Sequence, residues 1–428
     1  MHTHMPIMLP YHITHLNLQR QLQMPLLDTA RKGNYLVFWW GDLALGDLYL
    51  APGQGLTEQS YYEKLTAAIQ PAVERYALKA GQAAGAWSNW LRRRDFSCLR
   101  EWMGSVLQDF TPNAVPETVP VTVVICTRNR AQHLQQCLLM LGQLRCRPQQ
   151  IVVVDNAPSD ESTAEVVRNF EEVEYVKEPR AGLDVARNTG IRQASCPVVA
   201  FTDDDVRVHP LWVYRVWESF QDPKVAAMTG LVIASQLETE AQQIFEKHWS
   251  FNRGYVDKTY DEAYFRQTLP TGPPVWEIGA GANMAFRTSV FKEVGYFDER
   301  LDVGAAGCNG DSEMWYRVLA GGHSIHYNPR AAAFHEHRRE IAALKKQIYY
   351  YMRGFTAAAL VQQQQHRQAG YHKHLFRVLP RYYLSLIRQG FPKYPFQYRT
   401  LFTEIGGILS GLVYYVKNRR ASAKALSR

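Results

Sequence analysis

From Pro120 onward the chain alternates short apolar stretches with amphipathic ones, and this alternation constrains its fold more than any other feature. Val121-Thr-Val-Val-Ile-Cys126, Gln150-Ile-Val-Val-Val154, Glu174-Tyr-Val176 and Val198-Val-Ala-Phe-Thr202 are strand-sized. Ala131 to Leu144, Ser162 to Phe170 and Leu183 to Ala194 carry helical spacing between them. Strands separated by helices of this length predict an α/β fold, a doubly wound, mostly parallel sheet. Sheets of this kind bind ligands outside the carboxyl ends of their strands, so the polar residues that follow each strand are the ones to inspect.

Those positions form a consistent set: Thr127-Arg128-Asn129 after the first strand, Asp155-Asn156 after the second, Arg187-Asn188 on a helix, and Asp203-Asp204-Asp205 after Phe201-Thr202. All are expected to converge on one crevice. Three adjacent carboxylates repel one another unless positive charge sits among them, and a hard divalent cation bound by carboxylate and phosphate oxygens is the usual solution.

Taken together, Val124-Ile-Cys-Thr-Arg-Asn129, Val153-Val-Asp-Asn156, Gly182-Leu-Asp-Val-Ala-Arg-Asn188 and Phe201-Thr-Asp-Asp-Asp205 resemble family 2 glycosyltransferases of the GT-A fold in order and spacing. Gly279-Ala-Gly-Ala-Asn-Met-Ala-Phe-Arg287, Val294-Gly-Tyr-Phe-Asp298 and Gly310-Asp-Ser-Glu-Met-Trp-Tyr-Arg317 are similar to the acceptor-side motifs of that family. The resemblance spans about Pro120 to Arg339. It implies that Thr127, Arg128, Asn129 and Asp155 hold the nucleotide, with Arg187 beside them. It further implies that Asp203-x-Asp205 is a DxD motif, in which Asp203 or Asp204 faces the ribose and Asp205 binds Mg2+ or Mn2+ across the donor diphosphate. Departure of a nucleoside diphosphate builds negative charge on the phosphates, which a bound cation neutralises.

The attacking acceptor hydroxyl must lose a proton, so a carboxylate base is needed. Asp311 stands at the second position of the family's E-D motif, whose preceding Glu is Gly310 here, and is read as that base; a single displacement with one carboxylate inverts the anomeric centre. Glu313 is its rival, and helix capping is the structural alternative for either acid. Ala331 to His337 alternates like a strand, placing His335 and His337 on one face. The family resemblance puts His335 at the metal or diphosphate. Gly279 and Gly281 are read as letting the backbone approach the sugar, with Trp276 and Asn283 lining the acceptor or donor pocket, and ordinary tight packing is the alternative for this stretch. Bacterial relatives of this type often build surface polysaccharide or glycolipid.

Charge is unevenly placed. Residues 338–428 hold seventeen Lys and Arg against Glu340 and Glu404, a net of +15, so the rest carries −7 of a chain that totals +8. Tyr382-Tyr-Leu-Ser-Leu-Ile387 and the apolar run Leu401 to Val416 lie among these cations, the composition of basic amphipathic helices that dock at anionic membranes. The expected organisation is an N-terminal α+β accessory unit (1–118), a catalytic domain (119–340) and a basic helical segment (341–428). Six scattered cysteines and no continuous apolar leader within Met1 to Leu18 predict a reducing, cytoplasmic setting at the inner face of the plasma membrane. Two other readings remain. A nucleotidyltransferase would need a Gly-rich triphosphate loop where the chain has Thr127-Arg-Asn-Arg130. A non-catalytic membrane-binding protein would leave the acidic crevice without a role, and no nucleic-acid partner is expected.

Overall fold

The computed structural model describes residues 9–28, 31–83 and 85–425. Among these residues twelve strands form two sheets: β1 (Tyr11–Asn17), β2 (Gly33–Trp40), β3 (Leu43–Leu50), β4 (Thr118–Thr127), β5 (Arg147–Asn156), β6 (Val173–Glu178), β7 (Val198–Asp203), β8 (Val206–Val208), β9 (Val225–Ala234), β10 (Lys258–Tyr260), β11 (Asn283–Arg287) and β12 (Ser324–His335). The larger sheet runs β10-β12-β9-β11-β7-β4-β5-β6, with β8 on β12. Strands β7, β4, β5 and β6 are mutually parallel, and β11 enters antiparallel between β7 and β9.

The apolar runs become strands buried on both faces, as parallel crossover sheets require. Along β4, Val124 packs into one core, and Val121, Val123 and Ile125 into the opposite one; β5 divides the same way, with Val152 and Val154 against Val153. Register then aligns the strand ends. Thr127 pairs with Asp155 and Cys126 with Asp203, so the polar residues after β4, β5 and β7 emerge at one edge. This is the doubly wound α/β arrangement expected from the alternation.

The smaller sheet, β1-β2-β3, has one face on its own helices and the other on the large sheet. Leu36, Phe38 and Trp40 of β2 point into the helical core built on Glu58–Lys79 and Phe96–Leu107. Tyr35, Val37 and Trp39 face Leu231 and Ile233 of β9 and Ala332 of β12. An ion-pair cluster also joins the two parts: Asp257 accepts from Arg75 Nε at 3.1 Å and from Lys79 Nζ at 2.9 Å.

These bonds hold the Asp257 carboxyl at about 2, although burial opposes ionisation. A depressed carboxylate pKa contributes stability that is present above the unfolded value, near 4, and lost as pH falls through the folded one. Asp257→Asn should therefore cost roughly 1 kcal/mol at neutral pH, discounted because Arg75 and Lys79 are partly exposed. Urea titrations should show the gap from wild type closing between about pH 4 and pH 2. A gap that does not change with pH would show that Asp257 contributes through packing.

The C-terminal segment is helical: Ile341–Gln365, Leu379–Gly390 and Leu401–Ala425. A Cβ on Gly407 would lie 2.5 Å from the Tyr349 carbonyl oxygen, and one on Gly411 2.6 Å from that of Arg353. These glycines bring the last helix into backbone contact with Ile341–Gln365. Among the described residues no helix is long and apolar enough to cross a membrane.

Candidate active site

The ends of β4 and β7 open into a cavity of about 1620 Å³ that reaches from Thr127 and Arg128, past Asp203, Asp204 and Asp205, to Asp311, Trp276 and Tyr382. Two charge clusters lie in it.

The first is the acidic triplet. Thr127 Oγ1 donates to Asp204 Oδ2 at 2.7 Å, and Arg130 bridges the next two acids, with Nη1 2.6 Å from Asp204 Oδ1 and Nη2 2.8 Å from Asp205 Oδ2. Arg338 approaches Asp205 at 4.0 Å. Burial pushes Asp203 up to about 7, and the charge of Asp205 adds to the effect. Burial works against ionisation of Asp205 too, but His335, Arg130 and Arg338 outweigh it and keep Asp205 below the usual carboxylate range. Burial first, then His337, lowers the His335 pKa to about 3. Among the described residues no group of three or more His, Cys, Asp or Glu side chains is gathered closely enough to hold a metal by itself. The donor chemistry still fits a cation shared with a ligand, since Mg2+ commonly takes one or two carboxylates and completes its shell with phosphate and water.

The second cluster surrounds Arg187. Its Nη1 lies 3.0 Å from Asp184 Oδ1 and 2.6 Å from Asp302 Oδ2, all three side chains being buried. Gly281 separates it from Asp311: a Cβ there would meet Arg187 Nη2 at 2.8 Å and Asp311 Oδ2 at 2.9 Å, so only glycine lets the two charges approach. Burial raises the Asp311 pKa and Arg187 pulls it back. Asp311 Oδ1 accepts from Ser312 N at 2.7 Å. Asp311 is not the cap of the helix Gly310–Ala320; Asn309, in the left-handed conformation at φ 77°, takes the N-cap position. The glycine at 310 also has a local cause. A Cβ there would lie 2.0 Å from Asp184 Oδ2, so a carboxylate from the helix Leu183–Gln193 fills the space a side chain would need.

Four expected site residues are placed differently. Asn283 is fully buried in β11, donating to the Leu231 and Ala331 carbonyls and accepting from Trp212 Nε1 at 2.8 Å; it ties three elements together and does not line the cavity. Glu313 is buried and held by Arg317 Nε at 2.8 Å and 2.9 Å, which engages the carboxylate that a base would need free. Asn129, at φ 55°, accepts from Ser159 N and joins two loops beside the cavity. Asp155 is buried with Oδ2 accepting from the Tyr175 hydroxyl at 2.9 Å. Arg187 lies on the cavity wall, but with Asp184, Asp302 and Asp311. Arg130, Asp184 and Asp302 were not anticipated as site residues. Arg130 sits in the same short stretch as Thr127 and Arg128, whereas Asp302 follows an irregular loop that carries no periodic signal.

The strand order and the cleft at the parallel strand ends define a GT-A-like α/β fold with a helical C-terminal region. Residues 122–295 match the family model of glycosyl transferase family 2. It is 27% identical over 232 residues to the pre-mycofactocin glycosyltransferase of Mycobacterium tuberculosis, covering 54% of this chain and 45% of that protein. It is 26% identical to glycosyltransferase AglE of Haloferax volcanii, over 54% of this chain and 72% of the relative. Validoxylamine A glucosyltransferase of Streptomyces hygroscopicus is 35% identical over 27% of each chain. The chain thus spans less than half the length of the first of these relatives.

Proposed function

We propose that the protein is an inverting glycosyltransferase that moves a sugar from a nucleotide-diphosphate donor to an acceptor hydroxyl, in surface polysaccharide or glycolipid synthesis. The observation that carries this reading is the pairing, within one cavity, of the Asp203-Asp204-Asp205 cluster with an Asp311 carboxylate raised by burial and flanked by Arg187. The acceptor oxygen attacks the anomeric carbon, its proton passes to Asp311, and the bond to the diphosphate oxygen breaks with its electron pair. Thr127 and Arg128 stand on the nucleotide side, and Thr127 and Arg130 hold the acids in place. Asp203 and Asp205, with His335, are the residues to hold Mg2+ or Mn2+, which would neutralise the charge gathering on the leaving diphosphate. Arg338 is placed to meet the same phosphates. A screen of nucleotide sugars with Mn2+ and a glycan or glycolipid acceptor should show release of nucleoside diphosphate. A chain that binds none of these donors would refute the reading.

The second half of the reading is attachment to an anionic membrane surface at the cytoplasmic face. Phe402, Leu409, Val413 and Val416 recur at helical spacing along the last helix, and each is more than half exposed. Tyr382 and Leu384 on Leu379–Gly390, together with Phe376 and Phe391, add further exposed apolar surface. Arg377, Arg381, Arg388, Lys393 and Lys417 lie among them. Basic residues near a bilayer contribute about 1 kcal/mol each, and an apolar helical face inserts at the interface. Val378, Leu379 and Tyr382 also line the cavity, so a lipid-borne acceptor would meet its far end. Because the last helix packs on Ile341–Gln365, point changes test this better than truncation. Co-sedimentation with liposomes should rise with anionic lipid, fall with salt, and drop at least tenfold in Phe402→Ser/Leu409→Ser/Val413→Ser, a loss of about 1.4 kcal/mol or more. Binding indifferent to lipid charge would leave the stripe without this role.

A further inference from the structure

Residues 249–257, between the helix Glu240–His248 and β10, have no regular structure, yet Trp249, Ser250, Phe251 and Arg253 form one side of the cavity. No strand ladder or helix holds such a segment, so its conformation depends on side-chain bonds. Some are internal: Ser250 Oγ accepts from Asn252 N at 3.0 Å, and Asn252 Oδ1 from Gly254 N at 2.8 Å. Others come from the N-terminal unit, which lies outside the residues that match the family model. Asp47 of β3 uses one oxygen, Oδ2, to accept from the Tyr255 hydroxyl at 2.7 Å and from Asn252 Nδ2 at 3.2 Å. The Tyr35 hydroxyl of β2 donates to the same oxygen at 3.0 Å. Arg75 and Lys79 hold Asp257 at the end of the segment.

The segment held in this way carries Arg253 to the acceptor side of the cavity. Arg253 Nη1 donates to the Ser250 carbonyl at 2.5 Å and Nη2 to the Trp276 carbonyl at 2.9 Å, so the guanidinium is aimed from both ends. The field of Asp311 also reaches it. Each Nη keeps a second hydrogen, and Nε is buried without a partner. Among the described residues no carboxylate lies within 4.0 Å of the group. A guanidinium withdrawn from water without a counter-charge is costly, and a ligand that offers an oxygen would lower that cost.

We propose that Arg253 is a specificity-determining residue that donates to an oxygen of the acceptor, and that Asp47 is the positioning residue through which the N-terminal unit sets the segment carrying it. The inference rests on the glycosyl-transfer reading above. It gives the three-stranded sheet a part in selecting the acceptor beside Trp276 and Asp311, and leaves the nucleotide to the ends of β4 and β7.

Steady-state transfer, with the nucleotide sugar and the acceptor found by the screen above each varied in turn, tests the contact. Arg253→Met should raise the acceptor KM roughly 10-fold or more, the worth of one hydrogen bond to a charged group, and the donor KM by less than about twofold. Asp47→Leu should show the same split, and amide hydrogen exchange over residues 249–256 should quicken roughly 10-fold or more. Asp47→Asn, whose amide oxygen can accept the same three bonds, should stay near wild type in both measurements. Should Asp47→Leu fail to fold, Tyr255→Phe removes the shortest of the three bonds, keeps the ring, and should raise the acceptor KM and the exchange rate about fivefold. An unchanged acceptor KM in Arg253→Met, or donor and acceptor KM rising together, would overturn the proposal. So would unchanged exchange over 249–256 in whichever of Asp47→Leu and Tyr255→Phe folds. A wild type that binds no nucleotide sugar would refute the glycosyl-transfer reading instead, and the exchange comparison, which needs no substrate, would still decide whether Asp47 holds the segment.

Discussion

Asp311→Asn is expected to lower kcat for sugar transfer by a factor of about 10² to 10⁴, the range supplied by a positioned general base. The donor should bind almost as before, because the amide keeps the shape and its oxygen can still accept from Ser312 N. The wild-type enzyme should also lose activity in acid. A base must be ionised, and burial raises the Asp311 pKa, so the acidic limb of the kcat profile should lie above the ordinary carboxylate midpoint. A steady-state profile, with donor affinity measured separately, checks both. If Asp311→Asn transferred normally while Glu313→Gln did not, the base would have to be reassigned despite the Arg317 pair.

Asp205→Asn should reduce turnover by on the order of 10²-fold or more, since removing a group aimed at developing charge costs at least that much. The fold should survive: the amide oxygen can still accept from Arg130, whose other nitrogen remains on Asp204. Wild-type activity should likewise vanish in excess EDTA and return on addition of Mn2+ or Mg2+. Full activity in EDTA would remove the cation from the reaction. A variant that lost turnover only by unfolding would show it in a lowered Tm.

Much of the fold was legible because it is written locally. The Val-rich runs of β4 and β5 could be satisfied only by burial on both faces, and the residues following each strand belong to the same short segments. The basic C-terminal segment was equally visible as composition. Its glycines were not understood from sequence: Gly407 and Gly411 admit the backbone of a neighbouring helix, a partner about 58 residues away in the chain. Gly310 is similar, since its reason is the carboxylate of Asp184.

The candidate site divides along the same line. Thr127, Arg128 and Asp203 to Asp205 could be named from sequence because strand register alone brings them to one edge. Asn283 and Glu313 could not be separated from the cavity residues that way. A side chain's neighbours on its own element are set by local geometry, but whether it meets Trp212, Arg317 or open space depends on which elements cross it. By itself the sequence determined the alternating α/β core, the acidic strand end and the lopsided charge, because burial preference and spacing act over a few residues. Only the tertiary structure decided that Arg187 answers Asp302, that Arg130 divides itself between Asp204 and Asp205, and that Asp47 reaches the segment of Arg253 through Asn252 and Tyr255. Such contacts arise where distant segments are packed into a water-poor interior, where an unpaired charge or hydrogen-bonding group is costly.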